Sequence, residues 1–76
     1  MPPDFRRLPK HFGDAVRELR KTAGLSQMAL AEKAGLTLNY VGEVERGEKM
    51  ASLETVVRLA RALEMSGGEL LNKAKI

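Results

Sequence analysis

The chain has 76 residues, with 13 Lys and Arg against 10 Asp and Glu, no Cys, no Trp, one His and one Tyr. One small domain is expected, since domains usually run to roughly 100 residues or more; with no thiol and a single imidazole, neither a Cys–His nucleophile nor a His-rich metal cluster can be built, so neither enzyme activity nor a cofactor or metal is expected. A net charge of +3 over 43% apolar residues, with no membrane-length apolar run and no apolar leader at the N-terminus, points to a folded cytoplasmic protein with a mild attraction for polyanions.

All three prolines, Pro2, Pro3 and Pro9, lie in the first nine residues, and nothing after them forces a helix to break. Residues 1–9 read as an N-terminal arm and residues 10–76 as the domain; Arg6, Arg7 and Lys10 ahead of the first helix would either track a polyanion backbone or form a frayed terminus. Phe12, Val16, Leu19 and Ala23 recur at spacings of four, three and four, the apolar stripe of a helix over residues 9–23. Gly24 suits its left-handed C-cap, and Ser26 is the N-cap of a second helix over residues 27–34 with Leu30, Ala31 and Ala34 inward. Gly35 ends that helix. Thr37 caps a third over residues 38–46 with Val41 and Val44 inward, and Gly47 ends it. Ser52 caps a fourth helix through about residue 63, with Leu53, Val56, Val57, Ala60 and Leu63 expected on its core face. Ser66 with Glu69 forms the pattern of a capping box for a short fifth helix carrying Leu70 and Leu71. Strand signals are nearly absent, so the expected fold is all-α, a compact five-helix bundle.

Residues 27–46 carry the functional signal. Two short helices meet at Gly35-Leu36-Thr37, a three-residue link with a glycine where the chain turns too sharply for a Cβ. That is the connection of a helix-turn-helix. The second of the two helices would span about 14 Å, a length that fits a major groove, and its outer face carries Asn39, Tyr40, Glu43 and Arg46.

The run Leu25-Ser26-Gln27, Leu30-Ala31, Ala34-Gly35-Leu36-Thr37, Val41 and Val44-Glu45-Arg46-Gly47 resembles the helix-turn-helix of the lambdoid phage repressor and Cro family. The resemblance extends to Arg17-Glu18-Leu19-Arg20 upstream and to Ser52-Leu53-Glu54-Thr55 and Leu59-Ala60-Arg61-Ala62-Leu63 downstream, so it covers residues 12–71. Within the family, the size, Tyr40-Val41-Gly42 and Glu45-Arg46-Gly47-Glu48-Lys49 are similar to small controller proteins of restriction–modification systems. The family implies a lambda repressor-like DNA-binding domain, acting as a homodimer on a palindromic operator of double-stranded DNA.

The resemblance also implies roles for individual residues. Gln27 would touch a phosphate at the start of the second helix, where backbone amides also favour one, and support the third helix; as a plain surface residue it would only flank a cap. Thr37, Leu38, Asn39 and Glu43 match base-reading positions: Asn can grip adenine, Glu can accept from cytosine, and Leu38 departs from the polar residue common there. Tyr40 would reach DNA or cover the helix junction as a half-buried ring. Arg46 and Lys49 would meet phosphates. Arg20 and Glu45 would form a structural ion pair. Met65, Leu70 and Leu71 are candidates for a dimer interface, with packing of the last helix as the plain alternative. His11 reads as an exposed histidine without a function, and Met50-Ala51 replaces the Pro-Ser often found before the fourth helix in this family.

Two functions stay open at this level. The first is a sequence-specific transcriptional regulator without a small-molecule ligand; the second is a protein-interaction module, such as an antitoxin or coactivator-like adaptor, that shares the fold without using the reading face. Charge favours the first. Residues 1–33 hold seven basic and four acidic residues, whereas residues 34–76 hold six of each, so the positive excess lies outside the third helix.

Overall fold

The structure, a computed structural model, describes residues 5–76. A 3₁₀ turn over Phe5–Arg7 leads into α1 (Leu8–Thr22), then α2 (Gln27–Ala34), α3 (Leu38–Glu45), α4 (Leu53–Ala62) and α5 (Gly67–Lys73). No strand occurs among the described residues, and the all-α expectation holds. The helix expected from residue 9 begins at Leu8, because Pro9 is tolerated in a first turn, where its missing N–H is not needed. Residues 5–9 of the expected arm are therefore a 3₁₀ turn and a helix start, and residues 1–4 lie outside the described residues.

The helix starts follow the polar residues that precede them. The side-chain oxygens of Ser26, Thr37, Ser52 and Ser66 accept the backbone N–H of Ala29, Tyr40, Thr55 and Glu69 at 3.0, 3.1, 3.0 and 3.0 Å. Glu69 completes the capping box by accepting the Ser66 N–H at 3.0 Å. That bond holds its carboxyl below the usual carboxylate range. Each such cap contributes about 1 kcal/mol.

Leu30, Leu59, Leu70, Val16, Val41 and Val44 are the largest fully buried side chains. Around them α3 packs on α1 and α2, α4 on α2, and α5 on α4 and α1. A buried leucine here stabilises the fold by roughly 1.5–3 kcal/mol. One crossing is unusually close. A Cβ on Gly13 would lie 2.2 Å from the Val44 carbonyl oxygen and 2.8 Å from that of Glu45, so α1 rests directly on the backbone at the C-terminal end of α3.

Four positions depart from the periodicity reading. Ala23, at the frayed end of the α1 stripe, is exposed. Leu53 and Val57 are 79% and 36% exposed, while Thr55 is buried in their place. Counting apolar residues cannot see what lets a threonine sit inside: Thr55 Oγ1 meets the Tyr40 hydroxyl at 3.2 Å and Ser52 Oγ at 3.0 Å, so its hydroxyl is satisfied beside buried Val56, Leu59 and Ala60. Leu70 is completely buried and so is core, not interface.

Candidate nucleic-acid interface

Gly35 adopts φ +69°, the left-handed conformation that ends α2. Its N–H donates to the Glu32 carbonyl at 3.3 Å, and the Leu36 N–H to the Ala31 carbonyl at 2.9 Å, closing the turn before Thr37 starts α3. Arg58 from α4 fixes the same turn from below. Its Nη1 donates to the Ala34 carbonyl at 3.3 Å and lies 2.8 Å from where a Gly35 Cβ would be. Arg58 was not singled out from sequence, since no local pattern links it to a carbonyl 24 residues away.

On α3, Val41 and Val44 face the core as expected. Asn39 and Arg46 are exposed on the opposite face, with Glu43, half-buried, between them, and Leu38 is 44% exposed at the helix start. Thr37 is exposed, its hydroxyl committed to the cap. Tyr40 is half-buried with its hydroxyl on Thr55, so in this structure the ring bridges α3 and α4. Lys49 is exposed just beyond the helix.

Arg46 does not extend from the helix end. Its guanidinium folds back over Gly42, where a Cβ would lie 2.9 Å from Nη1, and it donates to both carboxylate oxygens of Glu48, from Nε at 2.7 Å and from Nη2 at 3.2 Å. The paired hydrogen bonds raise the Arg46 pKa further and lower that of Glu48.

Glu45 is handled differently. It is 4% exposed, and three donors converge on its carboxylate: Arg20 Nε at 2.7 Å, Arg20 Nη2 at 3.1 Å and Gln27 Nε2 at 3.0 Å. Arg20 also donates from Nη1 to the Leu25 carbonyl at 2.9 Å, and the hydrogen bond to Glu45 raises its pKa. The buried pair joins α1 to the end of α3, and Gln27 ties the start of α2 into it. Gln27 is thus half-buried and held against Glu45 at the end of α3, a placement in keeping with the expected support of that helix. Among the described residues no buried side-chain polar atom lacks a partner.

Beside this network a polar cleft of about 380 Å³ opens, lined by Lys10, Arg17, Arg20, Gln27, Glu45 and Arg46. Four cations and one carboxylate surround it, so it is an anion-favouring surface at the flank of α3. Arg17 was absent from the site expected from sequence, and Lys10 entered it only as part of a basic arm with Arg6 and Arg7. The spacing of Lys10, Arg17 and Arg20, seven and three residues, places them along one side of α1 and was the available signal. Among the described residues no group of acidic or histidine side chains is arranged to hold a metal, and no helix is long and apolar enough to cross a membrane.

With this geometry in hand, the comparisons with known proteins agree on one family. A model of the helix-turn-helix domain matches residues 11–72. Control protein C.SmaI of Serratia marcescens is 39% identical over 69 residues, spanning 91% of this chain and 82% of that protein. Control protein C.BamHI of Bacillus amyloliquefaciens is 32% identical over 62 residues, spanning 80% of this chain and 76% of that one. Among solved structures, the crystal structure of the restriction-modification controller protein C.AhdI from Aeromonas hydrophila matches with a TM-score of 0.79 at 47% identity, covering 82% of this chain and 94% of that chain.

Proposed function

The chain belongs to the helix-turn-helix domain family, close to the restriction–modification controllers, and from that premise we propose that it is a cytoplasmic, sequence-specific transcriptional regulator that binds double-stranded DNA as a homodimer on a palindromic operator, most similar in role to those controllers. The observation that carries the reading is the exposed outer face of α3, seated by the turn at Gly35 and flanked by the basic cleft. In this reading α3 lies in the major groove. Asn39, Glu43 and Leu38 read bases there, with Thr37 at the helix start. Asn39 has the donor and acceptor pair that suits adenine, Glu43 suits the cytosine amino group, and Leu38 suits a thymine methyl. Arg46 and Lys49 meet phosphates, and Gln27 holds the network that carries Arg46's neighbour Glu45. Tyr40 serves DNA binding by bracing α3 against α4.

The second copy is placed on the α4–α5 side. Leu53 and Val57 form an exposed apolar strip, and Val57 lies beside the start of α5, where a Cβ on Gly67 would be 3.8 Å from Val57 Cγ2. Half-buried Met65 and Leu71 extend the same side. Two-fold pairing there would set the two α3 helices about one helical turn of DNA apart, roughly 34–36 Å.

Selection of bound sequences from a random duplex pool, at fixed salt, tests the whole reading. A two-fold-symmetric consensus is expected. Recovery of no motif at low salt would favour the protein-interaction module instead. Within a recovered motif, Asn39→Ala should relax specificity at one base position. Gln27→Ala should weaken binding to every sequence alike. Leu53→Glu should leave the fold intact and convert the dimer to monomer in sedimentation.

A further inference from the structure

We infer that Arg17, on α1 beside the C-terminal end of α3, is the principal phosphate-gripping residue of this chain, and that the cleft it lines seats one backbone phosphate of duplex DNA. The inference rests on the DNA-binding reading above and adds to it a residue and a ranking.

The argument is one of charge already spent. Four cations line the cleft. Arg20 is committed to buried Glu45 through two hydrogen bonds, and its remaining Nη1 donates to the Leu25 carbonyl. Lys10 pairs with Asp14 at 3.1 Å. Arg46 is held by both oxygens of Glu48. Arg17 is the one of the four with no carboxylate partner among the described residues. A phosphate entering the cleft would therefore compete with Asp14 for Lys10 and with Glu48 for Arg46, but with nothing for Arg17. An arginine is also suited to the task, because its planar fork can present two N–H donors to two phosphate oxygens at once.

The position of Arg17 is well supported. It lies one turn beyond Gly13, the point where α1 rests on the carbonyls of Val44 and Glu45, and one turn before Arg20, which is pinned to Glu45. The base of its side chain is thus fixed to the C-terminal end of α3 on both sides. A phosphate gripped by Arg17 would set the depth and tilt of α3 in the groove, while the residue itself reads no base.

Duplex binding measured by fluorescence anisotropy across a salt series decides the matter, using the full chain, an operator from the selection and a scrambled duplex. Arg17→Ala should weaken binding to both duplexes by about tenfold and make the salt slope shallower by about 0.9. Lys10→Ala and Arg46→Ala should each cost less. Arg17→Lys should restore the slope and part of the affinity. Arg17 is exposed, so the melting temperature should not move. A set of operators each carrying one neutral methylphosphonate links the effect to a particular phosphate. One position per half-site should weaken the wild-type protein and leave Arg17→Ala indifferent. If the wild type binds duplex and Arg17→Ala matches it in affinity and slope, or loses less than Lys10→Ala, the inference is overturned and the regulator reading stands. If the wild type binds no duplex at any salt, both fall together.

Discussion

Two arginine–glutamate pairs flank α3, and their geometry is nearly the same. Arg20 and Glu45 meet at 2.7 Å, as do Arg46 and Glu48, and each carboxylate accepts from two nitrogens of its arginine. Their surroundings differ: the side chains are 11% and 2% exposed in the first pair and 56% and 54% in the second. Burial turns the first into a structural joint, because removing either partner strands a charge without water. Exposure makes the second a loose association that water and salt weaken and that another anion can displace. Hydrogen-bond length alone does not tell a joint from a placeholder.

The strongest way to break the comparison is to cut the buried pair. Glu45→Ala should destabilise the domain by about 3–5 kcal/mol, against a total of roughly 4–11 kcal/mol expected for a chain of this length. Thermal unfolding followed by circular dichroism should show a largely unfolded protein at room temperature or a steep fall in melting temperature. Replacing both partners, Arg20→Met with Glu45→Met, should recover much of the loss; failure to recover would show that the charge itself is needed. The equivalent cut in the exposed pair, Arg46→Ala, should leave the melting temperature nearly unchanged and instead weaken duplex binding severalfold for all sequences. Smaller still is the effect of freeing Arg46. Glu48→Gln should leave the melting temperature in place and tighten duplex binding at low salt by roughly two- to fivefold, an advantage that fades as salt rises.

The smallest effect is a titration. The carboxyl groups of Glu48 and Glu69 are both lowered from the ordinary 4.5, by the hydrogen bonds from Arg46 and from the Ser66 N–H respectively. A lowered folded-state pKa means that their contribution is fully present above that ordinary value and is lost as pH falls through the folded value. Acid should therefore loosen both contacts below about pH 4.5 while the packed core persists. Glu69→Gln, which keeps a capping-box side chain, should flatten the part of that pH dependence that belongs to α5. Amide exchange along α5 would report it.

What sequence could convey depended on how local the cause was. The four N-caps, the turn at Gly35 and the capping box at Ser66 were legible because each involves residues no more than five apart. The Arg20–Glu45 pair spans 25 residues, and only the family resemblance suggested it; the same resemblance implied that Gln27 supports the third helix, but its bond to Glu45, 18 residues away, left no local signal. The α4 face was misjudged at Leu53 and Val57 because counting apolar residues ignores a buried threonine that has a hydrogen-bond partner. Neither the turn after α4, whose end was read at about residue 63, nor the end of α5 carries a glycine. Glu64 and Lys75 take the left-handed conformation there, at φ +61° and +60°, where glycine would have been the signal.

The contact at Gly13 bears on how such a protein can change over generations. At this crossing α3 is seated main chain against main chain, with the Val44 carbonyl oxygen 2.2 Å from where a Gly13 Cβ would lie, so this part of its seat depends on no side-chain rotamer. Leu38, Asn39 and Glu43 can be exchanged without moving their platform, whereas position 13 admits no residue but glycine unless α3 shifts. If those residues read bases as proposed, new operators would be within reach by changing a few surface residues, while the glycine seat beneath them has no such freedom.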